Sequence, residues 1–367
     1  MAKVYFANTE VPSLTRKVTL PAKFMRMMDK LNFQKRFTGK TVAVKMHLGG
    51  GLGYTTIRPL FVRLLTDKIR EAGGKPFITD GTFSVWDTAK RGYTEEVLGA
   101  KIIPAAGVTE KYFRTVPVEY SHPCGVELTE LHLCGNIIDA DAMVVLSHFK
   151  GHGEASYGGA IKNLAMGAVT RASRAALHRL ETGSFSWDGE KCVHCGRCIE
   201  NCPTGACAEN DKGEIEIDIH NCVYCRHCVK SCPTGAIEVD TKSYQRLQDG
   251  LAISAREVAR QFARGSVVYF NLAMDITPLC DCWGMTTQPL VPDVGIFGST
   301  CMPAVDKAAL DQIKAKNFIR GSLPAGRKLG RSGHLFKRVW GTDPYHQIRA
   351  AKTFGLGSAD YTIEHVD

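Results

Sequence analysis

Two matching runs of cysteines constrain this chain more than any other feature of its sequence. The first run is Cys192-x2-Cys195-x2-Cys198-x3-Cys202, and a proline follows it directly. The second run repeats this spacing, and both runs continue Pro-Thr-Gly-Ala. The cysteines of the second run are Cys222, Cys225, Cys228 and Cys232. This internal duplication predicts a small module that is organised around metal.

The spacing is that of bacterial ferredoxins, in which each run gives three thiolates to one cluster and its fourth to the other. We therefore predict two [4Fe–4S] clusters. The first takes Cys192, Cys195, Cys198 and Cys232, and the second takes Cys222, Cys225, Cys228 and Cys202. Zinc sites and disulfides are the alternatives, but zinc sites typically use two Cys-x-x-Cys pairs, and disulfide frameworks are typical of small secreted chains.

Residues 188–240 are too few to bury a self-sufficient core, so the clusters are expected to hold this module together. Apolar residues alternate with charged ones on either side of the second run. Ile215 and Ile217 form one such pair, and Ile237 and Val239 form another. They predict short hairpin strands, as in a small ferredoxin-like α+β domain.

Outside this module the chain alternates strands with helices. Residues 41–46 predict a strand, residues 57–72 a helix and residues 76–79 a second strand, and this βαβ unit implies a parallel sheet. The predicted fold class is therefore α/β, a three-layer domain with a mostly parallel sheet and an inserted two-[4Fe–4S] domain. The predicted segments are 1–187 and 241–320 for the α/β domain, 188–240 for the insert and 321–367 for a basic C-terminal segment.

Charge and cysteine content narrow the setting in which the chain acts. The formal net charge is +9, and much of it gathers late in the chain. Without a helix-turn-helix or an aromatic-interleaved pattern, this charge favours a solvated loop or a docking surface for an acidic partner over nucleic acid. The 14 cysteines favour a reducing cytoplasm in an oxygen-poor cell. No run of roughly 18 apolar residues occurs, so no membrane insertion is expected, and the N-terminus is expected to be a strand rather than a leader peptide.

Loops at the carboxyl ends of parallel strands bind ligands in sheets of this kind, and several such loops carry informative residues. In the glycine-rich loop at 47–56, Gly50 and Gly51 are predicted to let backbone N–H groups approach an anion or a cofactor. A tight structural turn is equally compatible, since the spacing matches no nucleotide-binding pattern. For Asp80 and Thr82, after the next strand, an N-capping turn is favoured.

The most informative loop is at 147–167, directly after an apolar strand. His148, Lys150 and His152 alternate beyond that strand, and Lys162 and Asn163 follow on a helix that begins after two glycines. Two cations and two imidazoles predict a cradle for a carboxylate or phosphate with acid–base capacity, in which Asn163 also binds the ligand. In the alternative interpretation the lysines are solvated and the histidines cap local structure.

A further loop carries Cys280 and Cys282, and Cys301 follows the next predicted strand. In an extended segment the two thiols of a Cys-x-Cys pair face one side. Inert buried thiols are the favoured interpretation of these three cysteines. The alternative is that Cys280 and Cys282 share a metal or form a redox pair, or that all three thiols converge on a third metal or cluster.

The order of these motifs resembles a known family. HFKGH is followed by GGAIKNLAMG, the duplicated cysteine runs, CDC and VPDVGIFGS. Over residues 41–315 the chain resembles the iron–sulfur centre proteins of the domain-of-unknown-function family 362. The resemblance implies signature roles for His148, Lys150, His152, Lys162, Asn163, Cys280 and Cys282. The family pattern has an acidic residue near position 301, where this chain has Cys301, and the family name implies no particular reaction.

These features predict an iron–sulfur oxidoreductase that relays single electrons to an anionic substrate or to a further redox centre in the α/β domain. A ferredoxin or a reductase is the expected redox partner. One alternative is an electron-transfer subunit of a larger redox complex. Another is a maturation factor that delivers electrons or a cluster to a different metalloenzyme. The sequence leaves open a bound flavin and a homodimer.

Overall fold

The computed structural model describes residues 1–122, 126–181, 185–218, 222, 226–239, 243–324 and 326–367. Of the eight cysteines in the duplicated runs, Cys225 lies outside the described residues. The strands, in chain order, are β1 (Ala2–Asn8), β2 (Thr41–Met46), β3 (Lys75–Asp80), β4 (Ile102–Pro104), β5 (Phe113–Ser121), β6 (Glu127–Cys134), β7 (Ala142–His148), β8 (Lys150–His152), β9 (Ser156–Gly158), β10 (Phe185–Trp187), β11 (Cys207–Glu209), β12 (Ile215–Ile217), β13 (Ile237–Val239), β14 (Val267–Ala273), β15 (Gly295–Ser299) and β16 (Tyr361–His365).

The α-helices are α1 (Leu20–Lys30), α2 (Phe33–Phe37), α3 (Pro59–Glu71), α4 (Glu95–Leu98), α5 (Gly135–Ile138), α6 (Ala160–Gly167), α7 (Arg171–Arg179), α8 (Arg197–Glu200), α9 (His227–Ser231), α10 (Ser243–Ala259), α11 (Met302–Gln312), α12 (Leu335–Trp340) and α13 (Tyr345–Thr353). One-turn 3-10 helices lie at Arg16–Val18, Thr82–Val85, Ala89–Arg91, Asp281–Trp283 and Ala315–Asn317. In the described part of the chain, no helix has the length and apolar character needed to cross a bilayer.

An eight-stranded sheet forms the centre of the molecule, in the order β16-β1-β15-β14-β7-β2-β3-β4. The strands from β14 to β4 run parallel, whereas β15 runs antiparallel to both of its neighbours. Every residue of β7 and β14 is buried, as expected for strands covered on both faces. The predicted α/β class with a mostly parallel sheet is confirmed.

Helices cover both faces of this sheet, because successive strand residues point to opposite sides. In β7, Val144 packs in one core with Phe24 of α1, whereas Val145 packs in the other core with Leu164 of α6 and Leu251 of α10. The result is a helix–sheet–helix sandwich. Its carboxyl edge, where β2, β3, β7 and β14 end, is open to loops from several segments.

The predicted basic segment at 321–367 is not a separate loop. Its strand β16 pairs in parallel with β1 and extends the central sheet. Leu335, Phe336 and Val339 of α12 are buried in the same core as α6 and α10. Burial of these apolar side chains makes the segment part of the α/β domain.

The cysteine-rich region forms two small pairs of strands. β11 pairs with β12, and β10 pairs with β13, both antiparallel. The predicted strands at 215–217 and 237–239 are therefore present, but they pair with different partners. Because β10 begins at Phe185, strand pairing in this region starts before the predicted boundary at 188. We call residues 185–239 the cysteine module.

Candidate functional site

A cavity of about 630 Å³ opens at the carboxyl ends of β2, β3 and β7. This is the edge of a parallel sheet at which ligands are expected. Most of the residues predicted from the 147–167 and 280–282 stretches line it. These residues are His148, Lys150, His152, Lys162, Asn163, Cys280 and Cys282. Side chains that are far apart in the sequence thus share one cavity.

A buried ion pair between Lys45 and Asp80 forms one wall of the cavity. Lys45 Nζ lies 3.0 Å from Asp80 Oδ1 and donates to Asn163 Oδ1 at 2.7 Å. Asp80 Oδ2 accepts from the Leu48 backbone N–H at 3.0 Å and lies 2.9 Å from His47 Nδ1. Burial favours a higher pKa for Asp80, but the charges of Lys45 and His47, together with hydrogen bonds from His47 and Leu48, outweigh burial and lower it. The sequence interpretation missed this pair, because it favoured a capping turn at Asp80.

The glycine at position 167, the last residue of α6, has a steric cause. A Cβ atom at this position would lie 2.2 Å from Lys45 Nζ. Such a contact is far inside van der Waals distance, so a side chain would displace the buried ammonium. Asn163 fixes the same helix from its middle, since its amide donates to Leu146 O at 3.1 Å and to Ser147 Oγ at 3.0 Å. Asn163 therefore joins α6 to the strand ends.

Asp306 holds the start of α6. Its carboxylate accepts hydrogen bonds from the backbone N–H groups of Ala160 and Ile161, at 2.7 and 3.1 Å. It also accepts from Tyr157 Oη at 3.1 Å and from Asn271 Nδ2 at 2.7 Å. These contacts satisfy N–H groups that a helix start leaves without intrahelical partners. They fix the direction in which α6 presents Lys162 to the cavity.

The ring of His148 is fully engaged by oxygen atoms. Its Nδ1 lies 2.9 Å from Asp281 Oδ2, and its Nε2 lies 2.9 Å from Met274 O and 3.1 Å from Asp275 O. Lys150 Nζ lies 3.2 Å from the same Asp281 oxygen. His148 is thus placed to position Asp281, and proton transfer with a ligand would require it to give up one of these contacts.

In contrast to His148, His152 has one ring nitrogen that accepts hydrogen bonds and one that carries the proton. Its Nδ1 accepts from the backbone N–H groups of Glu154 and Ala155, at 3.2 and 3.1 Å. Burial, with the charge of Lys162 adding to it, lowers the pKa of His152 well below its usual value. A neutral imidazole whose Nδ1 accepts must carry its proton on Nε2. That Nε2–H faces Cys282 Sγ at 3.7 Å.

The thiols of Cys280 and Cys282 form a pair with one shared proton. The hydrogen bond from Cys282 lowers the pKa of Cys280, and although burial opposes this, the charges of Lys150 and Lys162 add to it. The same hydrogen bond raises the pKa of Cys282. Cys280 is buried, whereas Cys282 is exposed on the open side of the cavity. The pair therefore presents a thiolate next to an accessible thiol.

Lys162 is the lysine of the cavity that is best placed to bind the negative charge of a ligand. Its Nζ lies 3.9 Å from Cys280 Sγ, and among the described residues no carboxylate lies within ion-pair distance of it. Burial lowers its pKa, but the negative charge of Cys280, supported by Cys282 and Glu154, outweighs burial and raises it. Lys162 is therefore charged and available to an anion.

A second polar cluster at the cavity was not predicted from the sequence. Glu154 and His178 line the cavity, and His178 Nδ1 lies 3.5 Å from Glu154 Oε2 and 3.1 Å from Glu181 Oε1. Burial, with the charge of Glu181 adding to it, raises the pKa of Glu154 to about 8. Glu154 thus holds a proton at neutral pH. The spacing of these three residues in the sequence carries no metal or catalytic pattern that could have indicated the cluster.

The glycine-rich loop has a bracing role. The backbone N–H of Leu52 donates to Gly284 O at 2.7 Å, and a Cβ at Gly51 would lie 2.6 Å from the same oxygen. The loop therefore packs closely on the turn that carries Cys280 and Cys282. Neither Gly50 nor Gly51 is among the described residues that line the cavity, so their predicted contact with a cofactor is not found there.

The predicted convergence of three thiols is not found. Because β15 runs antiparallel to β14, the residue after β15 lies at the opposite edge of the sheet from the residues after β14. Cys301 donates there to Ser358 O at 3.2 Å. At the cavity, His152 rather than Cys301 completes the group, with donor atoms within 4.8 Å of those of Cys280 and Cys282.

The cysteine module has a small pocket of its own. The pocket is lined by Cys192, Cys195, Cys198 and Cys232, which are the four residues predicted to share the first cluster. Cys232 Sγ also accepts from the Ala236 backbone N–H at 3.2 Å. Burial raises the pKa of Cys232, but hydrogen bonds from Thr234 and neighbouring backbone groups outweigh it and lower the pKa. The fourth thiol of the second run is thus placed beside the first three of the first run.

Tyr244 lies at the start of α10, just after the cysteine module in the chain. Its side chain is 1% exposed. Burial raises the pKa of its phenol, and the charges of Glu181, Cys222 and Glu154 raise it further.

Comparisons with known proteins give a family. No curated protein matches the sequence. A search of solved structures finds the lactate racemase apoprotein from Thermoanaerobacterium thermosaccharolyticum, with 12% sequence identity and a TM-score of 0.35. That match covers 75% of this chain and 51% of the other, so this chain spans about half the length of that protein. The family model described as Domain of unknown function (DUF362) matches residues 42–311, which is most of the chain, and the chain therefore belongs to this family.

Proposed function

We propose that this protein is an iron–sulfur oxidoreductase that reduces a small anion bound in the cavity. One observation carries the proposal. The ammonium of Lys162, which has no carboxylate partner among the described residues, shares one cavity with the thiols of Cys280 and Cys282, so that an anion-binding group and redox-active groups meet at a single place. A protein that only carries electrons has no need of this combination.

The cysteine module fits two [4Fe–4S] clusters by the chemistry of its donors. Four thiols line one pocket, and backbone N–H groups are directed at the fourth thiol of the second run. Hydrogen bonds of this kind stabilise thiolates and tune the potential of a bound cluster. Bound [4Fe–4S] clusters supply one-electron transfer. The residues that would hold them are Cys192, Cys195, Cys198 and Cys232 for the first, and Cys222, Cys225, Cys228 and Cys202 for the second.

In this proposal, different residues of the cavity bind the anion and supply its proton. Lys162 binds its negative charge, and Lys150 adds to the positive field while Asp281 holds it in place. Glu154 keeps a proton at neutral pH, because burial raises its pKa to about 8, and so it can act as a general acid. His152 presents an Nε2–H group to the thiols and the ligand.

Chain connectivity supports a functional link between module and cavity. Strand β13 of the module ends at Val239, α10 begins at Ser243, and α10 packs in one core with α6, the helix that carries Lys162. Electron transfer from a ferredoxin or a reductase in a reducing cytoplasm would then enter at the module. The anion would bind at the far side of the Glu154 cluster.

Anaerobic iron and sulfide analysis with EPR tests the first half of the proposal. We expect about eight iron atoms per chain and the signals of reduced [4Fe–4S] clusters. A chain that binds no iron under these conditions contradicts the proposal. A flavin absorption band in the same sample would move the redox step from the thiols to that cofactor.

Binding of inorganic phosphate and of succinate, measured by calorimetry, tests the second half. Lys162→Ala should weaken binding by roughly tenfold or more, because loss of an unscreened charge contact costs about 1.5–3 kcal/mol. Its EPR spectrum should stay unchanged. Lys307→Ala is the matched control, since Lys307 is paired with Asp311 on α11 outside the cavity. Equal binding by the wild type and both variants would remove the anion site.

A maturation factor is the second candidate. The donor atoms of His152, Cys280 and Cys282 lie within 4.8 Å of one another, as in a three-ligand metal site. Against this, His152 Nδ1 already accepts two backbone N–H groups, so its Nε2 carries a proton and cannot ligate a metal without rearrangement. Metal in clear excess over eight iron atoms, lost in Cys280→Ser, would favour the maturation factor.

A further inference from the structure

We propose that Cys280 and Cys282 interconvert between a dithiol and a disulfide, and so form a two-electron couple that reduces the anion in the cavity. This inference rests on the proposed function. It goes beyond it by assigning the reacting atoms and the number of electrons in each turnover.

The local backbone brings the two sulfurs together. Cys280 precedes the one-turn helix Asp281–Trp283, and the Trp283 N–H donates back to Cys280 O at 3.0 Å. A disulfide needs Cα atoms about 4.4–6.8 Å apart, and residues two apart in a tight turn meet this requirement. The two sulfurs lie within 4.8 Å of each other. Closing the bond therefore needs side-chain rotation and little backbone movement.

The surroundings of the pair favour the reactive form of a thiol. The attacking species in thiol chemistry is the thiolate, which nearby cations stabilise. Lys150 and Lys162 both act in this way on Cys280, and the shared proton stays with Cys282. The exposed Cys282 opens the pair to the cavity, whereas the buried Cys280 is protected from bulk solvent.

Two other thiols of the α/β domain, the buried Cys134 and the half-buried Cys301, show the opposite behaviour. Burial raises the pKa of Cys134 to about 12, and it also raises the pKa of Cys301. Cys301 donates to a backbone carbonyl at the far edge of the sheet. Lowered pKa, a partner thiol and a cavity coincide only at Cys280 among these three cysteines.

The reaction balances with the groups present. The pair, as one thiolate and one thiol, gives two electrons to an oxidised anion X, and the sulfur–sulfur bond forms. X takes one proton from Cys282 and one from Lys162, which leaves XH2 and the disulfide. Loss of the thiolate charge removes the interaction that held the Lys162 proton, so electron and proton release are coupled. A low-potential one-electron donor such as a reduced ferredoxin then acts twice. Two electrons and one proton convert the disulfide back to the thiolate of Cys280 and the thiol of Cys282, and a second proton from solvent restores the ammonium of Lys162.

Alkylation and peptide mass analysis test this inference on the iron–sulfur-loaded chain. Trypsin releases residues 265–307 as one peptide that contains Cys280, Cys282 and Cys301. After treatment with diamide, a two-electron thiol oxidant, we expect this peptide to carry one alkyl label, on Cys301. After addition of dithionite-reduced ferredoxin under anaerobic conditions, we expect three labels.

Two cysteine variants test which residues form the disulfide. In Cys301→Ser, the same cycle should run between no label and two labels, because the disulfide joins the other two cysteines. Cys280→Ser should keep the remaining labels in every condition. Retention of all three labels after diamide would overturn the inference, as would a disulfide that includes Cys301.

The control for the proposed function is run on the same samples. EPR reports the clusters and calorimetry with inorganic phosphate reports the anion site. If both signals are present and the labels never change, the dithiol couple is wrong while the oxidoreductase proposal survives. If the labels cycle with diamide and a chemical dithiol but not with reduced ferredoxin, the couple exists and its assigned electron source is wrong, which also overturns the inference as stated.

Discussion

The cysteine module and the cavity both gather thiols, but they do so by opposite means. In the module, residues close in sequence supply the thiols, and its buried core consists of Cys198, Cys207, Ile215, Cys228 and Ile237. In the cavity, the thiols meet His152 and Lys162 from segments more distant in the chain, and a large packed sheet holds them. Local spacing can thus gather thiols around a small core, whereas the thiol pair of the cavity depends on a large core that brings distant segments together.

Because the core of the module is small and that of the sheet is large, we expect the largest effect when bound metal is removed. After chelation, we expect amides of α8 and α9 to lose nearly all hydrogen-exchange protection, because a core this small cannot offset chain entropy. Amides of β7 and β14 should keep theirs, since both strands are buried along their whole length. Hydrogen exchange read by mass spectrometry measures both regions in one sample. Equal loss of protection in both would mean that the module and the sheet unfold together.

Asp306→Ala should have the largest effect of any single substitution considered for the α/β domain. It leaves two helical N–H groups, a phenol and an amide without their acceptor in a buried site. We expect a loss of about 3–4 kcal/mol in the free energy of unfolding, measured by urea denaturation of chelator-treated protein.

Asp87→Ala is the matched control for this substitution, because Asp87 pairs with Lys90 at the surface and both side chains are exposed. It should change stability by less than about 0.5 kcal/mol. A comparable loss in the two variants would show that the Asp306 network does not hold the cavity.

Glu154→Gln should change how the stability of the α/β domain depends on pH. The pKa of Glu154 rises from 4.5 to about 8 on folding, so its favourable contribution is complete below pH 4.5 and is lost as pH rises through 8. In wild-type protein this group contributes a fall in stability of at most about 1.4 kcal/mol per pH unit across that window. The variant should lack this fall. Denaturant midpoints measured between pH 5 and pH 9 would show identical slopes in the two proteins if Glu154 does not hold a buried proton.

Lys162→Gln should make the thiol pair less reactive. Removing this ammonium raises the pKa of the Cys280 thiol, because one of the charges that stabilise the thiolate is gone. We expect the midpoint of the pH profile of alkylation to move up by the same number of pH units as that pKa. The pH dependence of the iodoacetamide rate measures this shift. Lys90→Gln, at an exposed lysine, should leave the rate unchanged.

Cys301→Ser should have the smallest effect. Cys301 lies at the opposite edge of the sheet from Cys280, and a serine hydroxyl can replace its contact with Ser358 O. We expect the unfolding free energy to change by less than about 0.5 kcal/mol and the alkylation rate of the Cys280 pair to stay the same. A change in that rate would restore the idea of three interacting thiols.

Several parts of this structure could be predicted from the sequence because they depend on local order. The βαβ unit at 41–79 implied the parallel sheet, since a short crossover helix allows no other common pairing. The density of histidine and lysine after β7 indicated a site, because strand ends of a parallel sheet share one edge. The roles within the site were harder to predict. His148 looked like a proton-transfer group, yet both of its ring nitrogens contact oxygen atoms.

Residues that act through distant partners could not be predicted. Asp80, Asp281 and Glu154 each resemble an ordinary polar loop residue until the fold places a lysine or a second carboxylate beside them. The position of Cys301 depended on the direction of β15, and apolar periodicity gives the faces of a strand but not its direction. The C-terminal segment looked like a basic tail because basic residues are interspersed with the few apolar residues of α12, so the apolar pattern is weak in the sequence.

The amino-acid sequence by itself determined the cysteine spacing, the alternation of strands and helices, and the residue types available at each strand end. These are local properties, set by covalent connectivity and by the periods of helix and strand. Only the tertiary structure decided which thiol has the lowered pKa, which nitrogen of His152 carries the proton and which lysine lies beside the thiols. Those properties depend on burial and on charges from remote segments, and both arise only when the chain has packed.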